Sequence, residues 1–301
     1  MKNFVIPETD YMVPGHLACP GCGASLGMRL ALKALGEKTM VVVPACCWSI
    51  IAGPFPYSAV NVPLFHTAFE TAASVASGLR AALDMKGQDD VTVMAWAGDG
   101  GTFDIGLQAL SGAAERNEDF IYVCYDNEAY MNTGIQRSSA TPEGAWTTTT
   151  PEGHVKDRPK KNIVEILAAH RIPYVATASV AYPDDFIRKM QKAKSMRGTR
   201  FIHLLSPCPP GWKIPSDDSI EIARLAVQTK IFPLYEIEDG EKVTINLEPD
   251  GLPVQRYFEK QGRFRYLTDA DYERIQRDVD HRWDRLKRRA QLQAMTAAAV
   301  E

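Results

Sequence analysis

No basic excess, no long apolar run and no repeated unit occurs in this chain. Its 301 residues carry 34 Lys and Arg against 37 Asp and Glu, a formal net charge of -3. Such a balance lacks the electrostatic footprint of nucleic-acid binding, so no nucleic-acid partner is expected. Nothing approaches the ~18 consecutive apolar residues of a membrane span. Residues 1–14 include Glu8 and Asp10 and have no positive segment followed by an apolar stretch, so no secretory leader is expected. The expected compartment is the cytoplasm. Thiols stay reduced there, and clustered cysteines are better read as metal or redox sites than as disulfides. Low-complexity tracts are also missing. With 45% hydrophobic residues the chain can bury one large domain plus an appendage, or two domains.

What is present starts with Gly98-Asp99-Gly100 at the end of the apolar run 91–97, and with Asn127 just past a second apolar run, 120–125. An acidic residue in a glycine turn offers Mg²⁺ a hard oxygen ligand without blocking close approach of a diphosphate. An amide oxygen from the next strand end can complete the chain's share. The two together describe a metal-diphosphate site split between two strand ends. Alone, Gly-Asp-Gly is also a common turn.

A second constellation is Cys19-Pro20-Gly21-Cys22-Gly23, then Cys47 beside Cys46, and far downstream Cys208 in Ser206-Pro207-Cys208-Pro209. Two thiolates two residues apart clamp a soft metal centre, and the intervening glycine lets the backbone wrap its corner. Structural zinc usually has a closely spaced second ligand pair. Here the third and fourth cysteines are single and remote, which fits an iron-sulfur cluster at a junction of loops better than zinc. On spacing alone, zinc and a buried unligated pair remain alternatives.

Strand and helix signals alternate. Helical spacing marks 26–35, 67–85, 105–116, 163–170 and 183–195, and short strands mark 40–44, 91–97, 120–125, 174–178 and 200–205. Repeated βα units predict an α/β fold with a parallel sheet and helices on both faces, where ligands collect at the carboxyl ends of the strands. Asp99, Asn127 and Cys208 each fall just past such an end. Residues 138–159, rich in Thr, Pro and Gly, are too long for an ordinary connection and read as a functional or partner-covered loop. Residues 269–293 read as a charged helix with Ile275, Val279, Trp283 and Leu286 on one stripe, packed on its own domain or on a partner subunit.

With these residues in hand, the chain resembles the β subunit of the 2-oxoacid:ferredoxin oxidoreductases, most closely the pyruvate:ferredoxin oxidoreductase (pyruvate synthase) type. The likeness covers nearly the whole chain. It is carried by Gly15-His16 through Cys22-Gly23, by 97–108 and 125–134, by Arg137 through Pro142, by Ser206-Pro207-Cys208 and by Gln261 through Arg265. The resemblance implies a thiamine diphosphate-binding fold of the diphosphate-binding type, with residues 1–208 holding thiamine diphosphate and the cluster and 209–301 forming a C-terminal extension. It implies that Cys19, Cys22, Cys47 and Cys208 hold one 4Fe-4S cluster. Asp99, the Asn127 side chain and the Ala129 carbonyl would ligate Mg²⁺, with Gly98, Gly100 and Thr133 at the diphosphate and Asn132 near the thiazolium and substrate. The implied activity is oxidative decarboxylation of a 2-oxo acid, pyruvate preferred, with electrons passed through the cluster to ferredoxin and the acyl group to coenzyme A. The glutamate that activates thiamine comes in this family from a pyrimidine-binding module, and only the diphosphate-binding half is found here. Activity is therefore expected only with an α subunit that supplies it, and γ and ferredoxin-like δ subunits are implied too.

Other residues carry weaker expectations. Cys46 adjoins a ligand without matching one, and Cys124 in an apolar strand reads as a small buried hydrophobe. Glu70, His16 and His66 read as capping, local structural and core or interface residues rather than catalytic ones. Arg137 could meet an anionic group or fix its loop. Arg158-Pro159-Lys160-Lys161 reads as a solvated face, or as a docking patch for acidic ferredoxin or coenzyme A. Pro44-Ala45-Cys46-Cys47 stands where many pyruvate-type subunits have Ala-Thr-Gly-Cys, and Ala24 where a glutamate is frequent, so phenylglyoxylate and oxalate are competing substrates. A cluster-free thiamine decarboxylase and a noncatalytic iron-sulfur electron-transfer subunit are the readings from other classes.

Overall fold

The computed structural model describes residues 6–298, with side chains through 292; the first five residues of the N-terminal stretch lie outside the described residues. In chain order the elements are α1 (Gly23–Leu35), β1 (Thr39–Pro44), α2 (Cys47–Ile51), β2 (Leu64–Thr67), α3 (Ala72–Met85), β3 (Thr92–Gly98) and α4 (Leu107–Glu115). They continue with β4 (Phe120–Asp126), α5 (Ile163–Ala168), β5 (Tyr174–Ser179), α6 (Pro183–Ser195), β6 (Thr199–Leu205) and α7 (Pro209–Trp212). The remainder are α8 (Ser219–Gln228), β7 (Tyr235–Glu238), β8 (Lys242–Ile245), α9 (Gln255–Phe258) and α10 (Asp269–Ala298).

One eight-stranded sheet runs in the order β2-β1-β3-β4-β6-β5-β7-β8. The first six strands are parallel, β7 adds antiparallel to β5, and β8 adds antiparallel to β7. Every residue of β4, β5 and β6 is buried, because helices cover both faces and each side chain must be apolar or paired. One face packs on α1 and α6 around Trp48, Trp96 and Tyr125; the other packs on α3, α4 and α5 around Phe103, Phe120 and Tyr122. No described helix is long and apolar enough to cross a membrane.

Two expectations about the elements need correction. The helix expected at 67–85 begins only at Ala72, and Leu64–Thr67 is instead the edge strand β2. Its half-exposed residues and the preceding Pro63 give no apolar run to read. The β7–β8 hairpin was not expected either, although Asp239-Gly240 marks it. Both residues have positive φ, 51° and 72°, as the tight hairpin turn requires.

From beyond residue 208, β7 and β8 join this same sheet. A third apolar cluster gathers Trp212, Tyr257, Phe258 and Phe264 with Ile275 and Val279 of α10, while Leu286 packs on the α3–α4 face. The stripe on α10 is thus covered by the chain itself over those residues.

Candidate functional site

The parallel strands end on one rim of the sheet, and four segments meet there: Ala45–Cys47 after β1, Gly98–Gly101 after β3, Asn127–Thr133 after β4 and Ser206–Cys208 after β6. The first three line one open cavity of about 250 Å³. Gly98, Asp99, Gly100, Asn127, Ala129, Asn132 and Thr133 all face it, and so do Cys46 and Cys47.

Asp99 begins a π-helical turn, Gly100–Ile105, whose wide winding leaves its first N–H groups without partners inside the helix. A helix start of this kind suits a phosphate. A side chain at Gly100 would run into the Tyr130 ring, which is fixed by Tyr130 Oη donating to Asp104 Oδ2 at 2.7 Å.

Asp99 is 1% exposed. Burial, and then the charge of Asp126, push its carboxyl well above the ordinary range, although Ser138 Oγ donates to it. The Asn127 amide sits between Asp99 and Ala129 and has two ways to lie. With its nitrogen inward it donates to Asp99 Oδ1 at 2.9 Å and to Ala129 O at 3.0 Å. With its oxygen inward, three acceptors face one another with no hydrogen between them, a state that a cation relieves. Ligands at ~2.1 Å in octahedral geometry stand about 3 Å apart, so the spacing fits Mg²⁺.

The cysteine loops are tied together by backbone. Gly23 N–H donates to Pro207 O at 3.0 Å, and Trp48 Nε1 donates to Ala24 O at 3.1 Å, which fastens the Cys19–Cys22 loop to both Cys208 and the start of α2. Burial raises the Cys47 thiol, and Cys208, Cys46 and Cys22 raise it further. The Cys208 thiol is pushed up to about 12 by burial, with Cys22 and Cys19 adding to it. These thiols feel one another, and burial together with that mutual effect makes them resist ionisation. Among the described residues, no three His, Cys, Asp or Glu side chains are gathered as a ligand set for a single metal ion. Gly23→Ala is expected to cost about 1–3 kcal/mol, because a Cβ there would lie 2.8 Å from Pro207 N and from Ser206 C. Thermal melts of the purified variant check this.

Several residues have other work than the sequence implied. Lys160 and Lys161 are not a solvated docking face. Lys160 pairs with buried Asp126 and, at 2.8 Å, with Glu128, while Lys161 reaches Phe103 O and Asp104. Both point inward because those carboxylates lie beneath them, while Arg158 and Pro159 stay exposed. Much of loop 138–159 is buried by its own chain: Ser138, Ala140, Thr141, Ala145, Thr147 and Lys156 are all covered. Cys124 is buried, His66 and Arg137 are exposed, and His16 Nδ1 accepts the Ala18 N–H at 3.3 Å.

Sequence reading missed the ion chain beneath the rim. His203 Nε2 meets Asp126 Oδ2 at 2.6 Å, Lys160 bridges Asp126 and Glu128, and Arg263 Nη2 meets Glu128 Oε2 at 2.5 Å. The signals were Asp126, Glu128 and Arg263, each within a family-like block but with nothing to say that they pair. Burial pushes Asp126 up, but the Lys160 charge and the His203 hydrogen bond outweigh it and hold the carboxyl at about 2. Lys160→Met should cost about 3–5 kcal/mol at neutral pH, since it strips a buried carboxylate of its counter-charge. The Asp126 contribution is full above the ordinary carboxylate pKa of ~3.9 and is lost as pH falls toward the folded value. The gap between wild type and variant should therefore narrow between pH ~5 and ~2 in denaturant melts.

Residues 46–204 match the family model for the thiamine pyrophosphate enzyme, C-terminal TPP binding domain. Fold and cavity are thus those of a thiamine diphosphate enzyme. The ketoisovalerate oxidoreductase subunit VorB of Pyrococcus furiosus is 56% identical, with 97% of each chain covered. Pyruvate synthase subunit PorB of Methanothermobacter thermautotrophicus is 54% identical over 91% of this chain and 96% of its own. The solved 2-oxoglutarate:ferredoxin oxidoreductase of Magnetococcus marinus superposes with a TM-score of 0.58 at 25% identity, covering 74% of this chain and 81% of that one. The chain belongs to the β-subunit family of the 2-oxoacid:ferredoxin oxidoreductases.

Proposed function

We propose that this subunit carries the oxidative decarboxylation of a 2-oxo acid, with pyruvate the first substrate, passing electrons through a 4Fe-4S cluster held by Cys19, Cys22, Cys47 and Cys208. The observation that carries the reading is that Cys47 and the Asp99–Asn127–Ala129 oxygens share the walls of one cavity. A cluster on that wall would stand beside the cofactor. Asp99, the Asn127 amide oxygen and the Ala129 carbonyl would hold Mg²⁺, and Gly98, Gly100 and Thr133 would flank the diphosphate. Thiamine diphosphate, when bound, supplies an electron sink for the carbon that loses CO₂. Asn132, exposed on the cavity wall, is placed to orient the substrate through its amide, and Phe69, Ala45 and Met131 offer it apolar surface.

On this reading the chain works in the cytoplasm, where its six cysteines, all free, stay reduced. It works with an α subunit that brings the activating glutamate, with γ and δ subunits, and with ferredoxin and coenzyme A as acceptors. Ketoisovalerate is the second substrate reading, favoured by the 56% identity to a ketoisovalerate oxidoreductase subunit. The test is the intact complex, purified anaerobically and assayed for ferredoxin or viologen reduction with pyruvate, ketoisovalerate, 2-oxoglutarate, phenylglyoxylate and oxalate, with and without thiamine diphosphate and coenzyme A. Fastest thiamine-dependent reduction with pyruvate supports the proposal. Preference for another acid reassigns the substrate, and no reduction from a complex that keeps its iron would overturn it.

A further inference from the structure

Asn127 and Ala129, the two oxygen donors from the β4 end, flank Glu128, whose backbone lies in the left-handed region at φ 69°. Residues with a Cβ rarely rest there, and a glutamate gains nothing locally from doing so. Something must hold it. The turn is pinned at three backbone groups: Trp212 Nε1 donates to Asn127 O at 2.8 Å, Glu128 N–H donates to Asp126 Oδ1 at 2.9 Å, and Thr141 Oγ1 donates to Glu128 O at 2.7 Å. The Glu128 side chain, 3% exposed, turns away from the cavity and is gripped by Lys160 on one oxygen and Arg263 on the other. Arg263 is itself fixed by Gln261 Oε1 at 2.9 Å, and its guanidinium lies 4.0 Å above the Trp212 ring.

We infer that Glu128 is a positioning residue: its carboxylate, clamped between Lys160 and Arg263, holds residues 127–129 in the left-handed turn that aims the Asn127 amide and the Ala129 carbonyl at the cation beside Asp99. Without the turn, one of the two oxygens would swing out of the cluster, because successive residues in an ordinary extended or helical backbone do not present a side chain and the carbonyl two residues on to one point. The clamp also gives the segment after residue 208 a part in the metal site, since Arg263 and Trp212 both come from it. Lys160 and Arg263 offset the charge of Glu128 from behind, so its carboxylate adds little negative charge of its own beside the cation.

This inference rests on the Mg²⁺–thiamine diphosphate reading of the cavity. Its test uses the intact complex and measures, by thiamine diphosphate titration followed calorimetrically, the Mg²⁺ concentration that half-saturates binding. Glu128→Ala, which removes the clamp and keeps the Cβ, should raise that concentration at least about tenfold, the usual effect of losing a support behind a metal ligand. Glu128→Gly, which removes the clamp but frees the backbone to stay left-handed, should raise it less than Ala does. Iron content should stay at the wild-type value, whereas general loosening of the fold would lower it. If Glu128→Ala fails to assemble, Arg263→Met removes one jaw of the clamp while keeping an apolar stem over Trp212, and it should shift the Mg²⁺ midpoint in the same direction. Unchanged midpoints in the assembled variants overturn the inference alone. A wild-type complex that binds thiamine diphosphate without Mg²⁺ overturns it together with the functional reading.

Discussion

Asp99→Asn is expected to remove Mg²⁺-dependent thiamine diphosphate binding and with it at least two orders of magnitude of activity, while leaving the unliganded protein as stable as wild type or more so. The two halves of that expectation have one cause. A carboxylate that is 1% exposed, with Asp126 nearby, is costly to keep charged, and its carboxyl is pushed up accordingly. That cost is carried in the unliganded protein and recovered when a cation arrives. An asparagine avoids it, and its amide oxygen can still accept from Ser138. It cannot offer Mg²⁺ the charged oxygen the ion prefers. Melting curves with and without Mg²⁺ and thiamine diphosphate separate the two effects. Wild type should gain stability as ligand exceeds its Kd, about 2.7 kcal/mol at a hundredfold excess, and the variant should gain almost none. Equal ligand stabilisation in both proteins would show that Asp99 is only a turn residue.

The second large effect lies just past the end of β1, in the pair Cys46-Cys47. On the proposed 4Fe-4S reading, Cys47→Ser should lose the brown chromophore and electron transfer, by more than the ~10–100-fold that removing a supporting residue costs a metal site. Cys46→Ser should keep both. The neighbours differ because Cys46 is already employed: its side chain caps α2 at the Ser49 N–H, and Ser49 Oγ returns the bond to the Cys46 N–H at 3.0 Å. Serine is a better cap than cysteine, so the Cys46 variant loses nothing there. Cys47 shares the cavity wall with Cys46, and it is Cys47 that feels the charges of Cys208 and Cys22. Iron and sulfide content, visible absorbance and viologen reduction measured on both variants decide the matter, and a colourless Cys46→Ser beside a brown Cys47→Ser would reverse the ligand assignment.

The legible parts of the fold were those in which neighbouring residues carry the whole signal. β3 and β4 are near-continuous apolar runs because both their faces are covered, and α6 shows its Pro start and amphipathic spacing within thirteen residues. An edge strand such as β2 has no such run, since half of it meets solvent. For the same reason Asp99 and Asn127 could be read as site residues: a glycine turn and an amide, each at the end of an apolar strand, are local patterns with a physical meaning.

By itself the sequence determined the alternation of strand and helix, the strand ends that carry Asp99 and Asn127, and the four cysteines set apart from Cys124. The tertiary structure alone decided which of these meet. Asp126 and His203 pair across two adjacent strands, Lys160 turns inward to both Asp126 and Glu128, and Arg263 closes the chain on Glu128 from 135 residues away. A charge in a sequence is read as solvent-facing by default, because burying it unpaired is prohibitive. Whether it is paired depends on partners that only the packed sheet and its C-terminal segment bring within reach.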